Sequence, residues 1–267
     1  MAEKSITFVK ISATGNDFIT IDNRRSRIDA ERDRPWLQSI CQRRISVGAD
    51  GVILVQPSQR ADFEYVHINS DGSLAEMCGN GSRAVAYFAQ QIGAAGPALS
   101  FEILGSIYRA RVDGRRVTTD FLPPRHLDFE PAVTGLPGLV VAGSIDTGVP
   151  HLVVFADNLT DLDVQTAGSF YRHHPAFPRG TNVDFILPVD QHHLCVRTFE
   201  RGVEQETLAC GTGAVASSII AQRHNKVSPP VICHFAGGDL TIDFTTDFSH
   251  LTLTGLVAPI YSGTFID

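Results

Sequence analysis

Hydrophobic and polar positions near the start of the chain follow the pattern of short strands. Apolar residues alternate with polar ones in "SITFVKIS" (5–12), and short apolar runs occur in "DFITIDN" (17–23), "GVILVQ" (51–56) and "FEYVHIN" (63–69). Both patterns are typical of β-strands. The region 23–47, with "ERDRPWLQSICQRR", predicts a helix in which Cys41 is a packing residue.

Two longer apolar segments each follow a cysteine and two glycines. After "MCGNG" (77–81), apolar residues recur on one helical face and a glycine marks the end of the helix: Ala84, Val85, Phe88, Ala89, Ile92 and then Gly93. After "ACGTG" (209–213), the segment "GAVASSIIAQRHN" is apolar over most of its circumference. This second pattern predicts a helix that is buried inside a curved sheet.

The two helical segments belong to a longer internal repeat. Aligning Cys78 with Cys210 superposes "MCGNGSRAVAYFAQ" on "ACGTGAVASSIIAQ" and "ADGVILV" on "TNVDFIL", while "TGNDFITI" meets "TGVPHLVV" one residue out of register. Three anchors in the same order indicate two related halves of roughly 130 residues each. The predicted domains are 1–122 and 123–255, joined near the proline-rich "FLPPRHLDFEP" (121–131).

Composition and charge narrow the function classes. Hydrophobic residues make up 43% of the chain and charged residues 19%, as in globular proteins. A net charge of −7 with scattered arginines argues against a nucleic-acid partner. No stretch has the length of a membrane span or of a signal peptide, so we expect no membrane association and a cytoplasmic location.

Cysteine, histidine and lysine usage predicts neither a metal site nor a cofactor. The five cysteines (Cys41, Cys78, Cys195, Cys210 and Cys233) are odd in number and none are spaced as CxxC, which disfavours a disulfide framework and a structural zinc. Cys195 and Cys233 lie in strand-like segments, and we expect the pairs 173–174 and 192–193 to be solvated loop histidines. None of the three lysines has a glycine-rich context suited to pyridoxal phosphate.

The repeated cysteine motif suggests acid–base chemistry. Backbone N–H groups at a helix start bind anions, and a thiol there has a lowered pKa. Two such thiols on opposite faces of one carbon suit stereoinversion, in which one removes a proton and the other delivers one. Both copies also match GxGxxA, but a dinucleotide fingerprint occurs once per fold and lacks the preceding cysteine. The structural alternative is two buried cysteines that duplication alone has kept.

Five short motifs lie along the whole chain: "TGNDF" (14–18), "NSDGS" with "EMCGNGSR" (69–83), "TGVPH" (147–151), "TNVDF" (181–185) and "ERGVEQETLACGTGA" (200–214). Together they resemble the motifs of the diaminopimelate epimerase family. The resemblance implies an α+β fold of two similar domains, each a curved mixed sheet around a central helix, with residues 256–267 returning to the first domain. It implies cofactor-independent interconversion of LL- and meso-diaminopimelate, for lysine and peptidoglycan synthesis, by Cys78 and Cys210 in the interdomain cleft.

The resemblance also assigns the substrate contacts. The reacting carboxylate would meet backbone N–H groups of Gly79, Asn80, Gly211 and Thr212, and the distal amino-acid end would meet Asn16, Asn69, Asn182, Glu200 and Arg201. A forked cation and several acceptors suit a zwitterion. The asparagines at 16 and 69 could instead be turn residues, and Glu200–Arg201 a surface ion pair. His151 would contact the reacting centre or orient its loop. The implied partners are a small amino-acid substrate and a second copy of the chain.

One departure from the family pattern concerns specificity. The usual "GNPH" is "GVPH" here, so Val149 replaces an asparagine that binds the distal end of the substrate. Exclusive diaminopimelate specificity is therefore an open question. The alternatives are a proline or hydroxyproline racemase on the same fold, although that family follows its first cysteine with "GH", and an amino-acid-binding protein without catalysis.

Overall fold

The chain divides into two compact units, each with its own core. The computed structural model describes residues 5–75 and 77–266. Unit 1 comprises Met1–Thr119 and Gly255–Asp267, and unit 2 comprises Asp120–Thr254. The last strand, β16 (Leu251–Phe265), begins in unit 2 and ends in unit 1.

Unit 1 contains seven further strands and two helices. Its elements are β1 (Ile6–Ala13), β2 (Asn16–Asp22), α1 (Arg34–Ile40), β3 (Gly51–Gln56), β4 (Phe63–Asn69), α2 (Gly79–Gln91), β5 (Ala98–Ile103), β6 (Ser106–Asp113) and β7 (Arg116–Asp120). The four strands and two helices that the sequence predicts here are confirmed. Gly93, two residues beyond α2, has the positive φ of 64° that a helix stop favours.

The strands of unit 1 form a mixed sheet that closes on itself. They lie in the order β1 to β7, with β16 next to β7 and also antiparallel to β1. Two neighbouring pairs, β2–β3 and β4–β5, are parallel. A parallel pair needs a crossover connection, and α1 and α2 supply these two connections.

Helix α2 lies inside the closed sheet. Nearly all of its first eleven residues are buried, and the apolar ones pack against side chains from seven strands of the unit and from β16. Alanines at 84, 86 and 89 let the sheet approach the helix closely. Helix α1 packs on the other face of the sheet, where Leu37, Ile40 and Cys41 join a second apolar cluster. Cys41 is a packing residue, as predicted.

Unit 2 repeats the order of unit 1 with two additional strands, one at its start and a short one before its central helix. Its elements are β8 (Arg125–Asp128), β9 (Leu139–Asp146), β10 (Pro150–Ala156), α3 (Val164–Arg172), β11 (Asn182–Pro188), β12 (His193–Glu200), β13 (Gln205–Thr207), α4 (Gly211–Arg223), β14 (Val231–Phe235) and β15 (Gly238–Phe244). The pairs β10–β11 and β12–β14 are parallel, at the positions equivalent to β2–β3 and β4–β5. The predicted strand positions of Cys195 and Cys233 are confirmed.

Helix α4 is buried on all sides at its centre, as its apolar circumference predicts. Residues 211 to 221 are all buried, and the helix contacts strands β9 to β12, β14 and β15. The structure is an α+β fold with a mixed sheet and few helices, which confirms the predicted fold class. None of the helices within the described residues has both the length and the apolar character that a bilayer crossing requires.

The prediction of solvated loop histidines is wrong for His193 and holds only in part for His174. His193 is the first residue of β12, is half-buried, and stacks on His234 with ring centroids 5.0 Å apart. Strands β12 and β14 are parallel, and the register partner of His193 is Ile232. His234 lies two residues further along β14, on the same face as Ile232, and so stands diagonally opposite His193. His174 lies in the loop after α3 but is half-buried, with its ring 6.2 Å from that of Phe170. His173 and His192 are exposed, as predicted.

Candidate active site

Cys78 and Cys210 occupy the same position on two equivalent helices. Each is the residue that caps the N-terminus of a central helix, with φ, ψ of −123°, 115° at Cys78 and −124°, 114° at Cys210. Each sulfur accepts a hydrogen bond from the backbone N–H of a glycine three residues later, Gly81 or Gly213, at 3.4 Å. The repeat therefore places both sulfurs over the positive end of a helix dipole.

The glycine at this third helical position makes room for a polar group that differs between the units. A Cβ at Gly81 would collide with the Tyr65 hydroxyl, and one at Gly213 would collide with a carboxylate oxygen of Asp184. Only a glycine lets these groups reach the start of the helix. The two cysteines thus share a backbone geometry but have a phenol beside one helix start and a carboxylate beside the other.

In unit 1, the side chain of Asn16 faces Cys78. The thiol lies 3.8 Å from Asn16 Oδ1, and Asn16 Nδ2 donates to a carboxylate oxygen of Asp50 at 2.7 Å. Asp50 is in turn paired with Arg43 at 2.8 Å. Because a carboxylate only accepts, Asp50 fixes the Asn16 amide with its oxygen toward the sulfur. Asp50 is a positioning residue that the sequence reasoning missed.

Arg83 is fully buried near the start of α2. Its guanidinium donates to the Gly79 carbonyl at 3.0 Å, to Asn80 Oδ1 at 2.8 Å and to the Thr14 hydroxyl. Its Nε atom has no hydrogen-bond partner among the described residues, and no carboxylate there pairs with it. Burial lowers the pKa of Arg83 to about 10, so it is still a cation at neutral pH.

In unit 2, a chain of hydrogen bonds leads from a buried carboxylate to Cys210. Asp184 Oδ2 lies 2.7 Å from His151 Nδ1, His151 Nε2 lies 2.9 Å from the Thr212 hydroxyl, and that hydroxyl lies 3.3 Å from Cys210 Sγ. Asp184 and His151 are both inaccessible to solvent. In the neutral imidazole, Nδ1–H donates to the carboxylate and Nε2 accepts from Thr212, whose oxygen can then accept from the thiol.

The environment of Cys210 reverses the thiol pKa expected from the helix start. Burial, the Glu200 carboxylate and the Asp184 carboxylate raise the pKa of Cys210 well above its ordinary value. The hydrogen bonds from Thr212 and from the Gly213 N–H act in the opposite direction but are the smaller effects. At neutral pH the helix start of unit 2 therefore carries a protonated thiol.

The asparagines predicted to bind substrate already have partners in the protein. Asn69 ends β4 and donates to the Ser73 hydroxyl at 3.0 Å, within the turn that its backbone also closes. Asn182 is buried; its Nδ2 donates to the Pro150 carbonyl at 3.1 Å and its Oδ1 accepts from the Arg201 backbone N–H at 2.8 Å. The contacts of Asn69 are therefore compatible with both the turn interpretation and the substrate interpretation, whereas Asn182 is a strand residue.

The two charged residues predicted to bind substrate and the residue that departs from the family pattern all belong to unit 2. Glu200 ends β12 and Arg201 follows it, both half-buried; the Arg201 guanidinium lies 3.4 Å from the Arg179 carbonyl. Val149 is half-buried, and its carbonyl accepts from the Thr147 N–H at 3.2 Å. The Thr147 hydroxyl donates to the Thr212 carbonyl at 3.1 Å, which ties this loop to the start of α4.

Several of the residues that shape the site escaped the sequence reasoning. Tyr65, Arg83, Asp50 and Asp184 were not singled out, although the last three lie in or beside the quoted motifs. The available signal was a charged residue within a buried helix or strand, because such a charge needs a partner or a function. Within residues 5–75 and 77–266, no group of three or more histidine, cysteine or acidic side chains could hold a metal ion.

Comparison with known proteins gives the family of the chain. A family model described as diaminopimelate epimerase matches residues 8–116 and 143–258. A diaminopimelate epimerase from Aquifex aeolicus is 39% identical over 269 residues, covering 96% of this chain and 96% of that protein. Another from Archaeoglobus fulgidus is 40% identical over 260 residues, covering 92% of each.

Solved structures share the fold at much lower identity. A phenazine biosynthesis protein of the PhzF family from Bacillus anthracis has a TM-score of 0.76 and 15% identity, covering 99% of this chain and 100% of that chain. A probable proline racemase from Agrobacterium radiobacter has a TM-score of 0.69 and 15% identity, covering 98% and 93%. These structures bear on the fold alone, whereas the sequence matches cover nearly the whole chain at about 40% identity. The chain belongs to the diaminopimelate epimerase family, which confirms the prediction of an isomerase of that family.

Proposed function

We propose that this protein interconverts LL- and meso-diaminopimelate, without a cofactor, through Cys78 and Cys210 as an acid–base pair. The observation that carries the proposal is the matched placement of the two sulfurs, each capping a buried central helix with φ and ψ equal within about one degree. The family membership supplies the substrate, since the relatives named above are diaminopimelate epimerases. We also propose that the enzyme works in the cytoplasm, where its thiols stay reduced.

The proposed reaction exchanges protons between sulfur and the α-carbon. One cysteine, as thiolate, takes the α-proton, so that the C–H bond breaks and an S–H bond forms. The other, as thiol, gives its proton to the opposite face of the same carbon, so that its S–H bond breaks and a new C–H bond forms. The configuration is inverted, and the two sulfurs end with their protonation states exchanged.

The helix starts supply the other part of the chemistry. Removal of the α-proton places negative charge on the substrate carboxylate, and the first amide N–H groups of α2 and α4, at Gly79–Asn80 and Gly211–Thr212, are donors suited to that charge. We assign the distal amino-acid end of the substrate to Asn16, Asn69, Asn182, Glu200 and Arg201, with His151 at the reacting centre through Thr212. In this assignment the asparagines keep part of their present bonding and add a substrate contact.

Solvent labelling tests the two-base mechanism. LL-diaminopimelate is incubated in deuterated water, and product and recovered substrate are analysed by mass spectrometry at early turnover. We expect deuterium in the product and little in the recovered substrate, because each base faces one side of the carbon. Equal early labelling of both pools would mean that a single base exchanges its proton with solvent.

Replacement of each cysteine tests the assignment. Cys78→Ser and Cys210→Ser should each lower kcat by at least the roughly 10²–10⁴-fold typical of a general acid–base group, because a hydroxyl is a much poorer base. Cys195→Ser is the matched control: this thiol is half-buried on β12 and takes no part in the proposed reaction. Near-normal turnover by Cys78→Ser would return that residue to a packing role.

Two other outcomes identify the alternatives. Racemisation of proline or hydroxyproline, with no reaction on diaminopimelate, would place the protein with the racemases that share its fold. Binding of diaminopimelate in a calorimeter, with no deuterium entering either isomer, would indicate a binding protein. We expect neither, because both cysteines and their helix starts are intact.

A further inference from the structure

The electrostatic surroundings of the two cysteines differ although their backbones match. The position of α2 that holds Arg83 holds Val215 in α4, so one helix carries a buried cation near its start and the other carries none there. Conversely, Asp184 lies against the start of α4, where unit 1 has Tyr65. A cation favours a thiolate nearby, and carboxylates favour a thiol.

We propose that Arg83 is a positioning residue for the reaction: its buried guanidinium holds the negative charge on Cys78, so that the free enzyme keeps its thiolate in unit 1 and its thiol in unit 2. This inference rests on the proposed function of the two cysteines. It assigns a role to a residue that takes part in neither proton transfer.

Three observations support this assignment: the burial of Arg83, its interaction with Cys78, and the contacts that hold it in place. Arg83 has no solvent exposure, and among the described residues it has no carboxylate partner, so a thiolate is the anion that those residues offer it. A negative charge on Cys78 raises the pKa of Arg83, against the larger effect of burial, so the two groups are close enough to interact. The guanidinium is held by Gly79, Asn80 and Thr14, which keeps it at the start of α2.

The other groups that face Cys78 do not offset this charge. Tyr65 on β4 is fully buried, and burial and Cys78 raise its pKa, so it remains a neutral phenol. Behind it, burial lowers the pKa of His67 to about 4, so His67 is neutral at pH 7. Asn16 on β2 is uncharged, and the carboxylates beside it, Asp17 and Asp50, are paired with cations: Asp17 with both Lys10 and Arg43, and Asp50 with Arg43.

Alkylation rates measured against pH test the proposal. Iodoacetamide reacts with thiolates, and peptide mapping by mass spectrometry gives a separate rate for each cysteine of the intact protein. In the unmodified protein we expect the midpoint of the pH–rate curve to be lower for Cys78 than for Cys210. A midpoint for Cys210 at or below that of Cys78 would overturn the proposal without any variant.

Variants at position 83 isolate the charge. Arg83→Gln should raise the Cys78 midpoint by about 1–3 pH units, the effect typical of an opposite charge at close range, and leave the Cys210 midpoint unchanged. Arg83→Lys should keep most of the shift, because it keeps the cation. Val215→Gln is the matched control in α4 and should leave the Cys78 midpoint unchanged.

The outcomes separate this inference from the proposed function. If folded Arg83→Gln, checked by circular dichroism, leaves the Cys78 midpoint in place while both cysteines are needed for turnover, the role of Arg83 is refuted and the mechanism stands. If Arg83→Gln does not fold, the order of the two midpoints in the unmodified protein decides. If the serine variants turn over normally, the mechanism fails whatever the midpoints are.

Discussion

The hydroxyl of Thr212 is the link between His151 and Cys210, and removing it should affect both stability and thiol chemistry. Thr212→Val keeps the branched side chain and removes only the polar atom. In the structure that atom lies 2.9 Å from His151 Nε2 and 3.3 Å from Cys210 Sγ. Without it, Nε2 keeps only the long contact of 3.5 Å with Asn182 Nδ2.

The expected loss of stability follows from the burial of His151. This side chain has no solvent exposure, so water cannot replace the missing donor without rearrangement. A buried polar atom left without a good partner costs about 1–3 kcal/mol. For a chain of this size each kcal/mol lowers the melting temperature by roughly 2–4 °C.

The pKa of the Cys210 thiol should also change in Thr212→Val, and it should rise. When Cys210 ionises, the Thr212 O–H can turn from His151 Nε2 to the sulfur and donate to the thiolate. The hydroxyl therefore lowers the pKa of Cys210, against the larger effects of burial and the two carboxylates. Thr212→Val therefore raises the pKa of Cys210 further. The Cys210 alkylation midpoint should move to higher pH, and the basic limb of the kcat/KM profile with it.

Scanning calorimetry and iodoacetamide mapping measure the two effects, and Thr212→Ser is the control because it restores the hydroxyl. We expect the serine variant to keep the Cys210 midpoint and most of the melting temperature. Equal stability and equal midpoints for the valine and serine variants would refute the hydrogen-bonded chain, since the two differ in that hydroxyl.

Three further predictions address specificity, redox behaviour and acid stability. Val149→Asn should raise the ratio of kcat/KM on diaminopimelate to kcat/KM on glutamate or serine by roughly 5- to 150-fold, which is the equivalent of one buried hydrogen bond. An unchanged ratio would mean that residue 149 does not contact the part of the substrate that sets specificity. If Cys78 and Cys210 reach the same carbon, an oxidant should join them in a disulfide and abolish activity, and a thiol reductant should restore it. Peptide mapping that finds the two cysteines unlinked in the inactive protein would contradict this. Burial lowers the pKa of His67 from 6.5 to about 4, so stability is greatest above pH 6.5 and is lost as the pH falls from 6.5 to about 4, where the unfolded chain binds a proton that the folded chain does not. His67→Gln should reduce that loss, about 3 kcal/mol from the shift, in urea titrations at pH 7 and pH 4.

Local pattern was enough to predict most of the fold. Strands β1 to β4 follow from alternation and short apolar runs, and the two central helices follow from the segments after the paired cysteines. Helix α4 is apolar all round because it lies inside a sheet, and the sequence showed this directly. The amphipathic pattern of α2 was less informative: the helix is buried on nearly all sides, and its polar positions, Ser82 and Arg83 among them, are buried with partners.

Long-range partners of polar groups could not be predicted in the same way. Asp184 lies within the quoted "TNVDF" motif. Nothing in the local sequence indicates that it lies against Gly213, which is far along the chain and on another element. The same holds for Asp50 and Asn16, whose contact depends on the pairing of β2 with β3. A helix start also predicts a lowered thiol pKa, which is wrong for Cys210 because burial and two carboxylates outweigh the hydrogen bonds that lower it.

The repeat explains why the two cysteines match in backbone and differ in charge. Duplication preserves what the fold needs at each helix start: a capping residue, and a glycine at the third position. It does not constrain the side chains that reach the start from neighbouring strands, and there Tyr65 and Asp184 differ. Two identical sites would share the proton equally, so this difference in charge decides which cysteine of the free enzyme carries the thiolate. The departure from symmetry is therefore as much a part of the proposed mechanism as the symmetry itself.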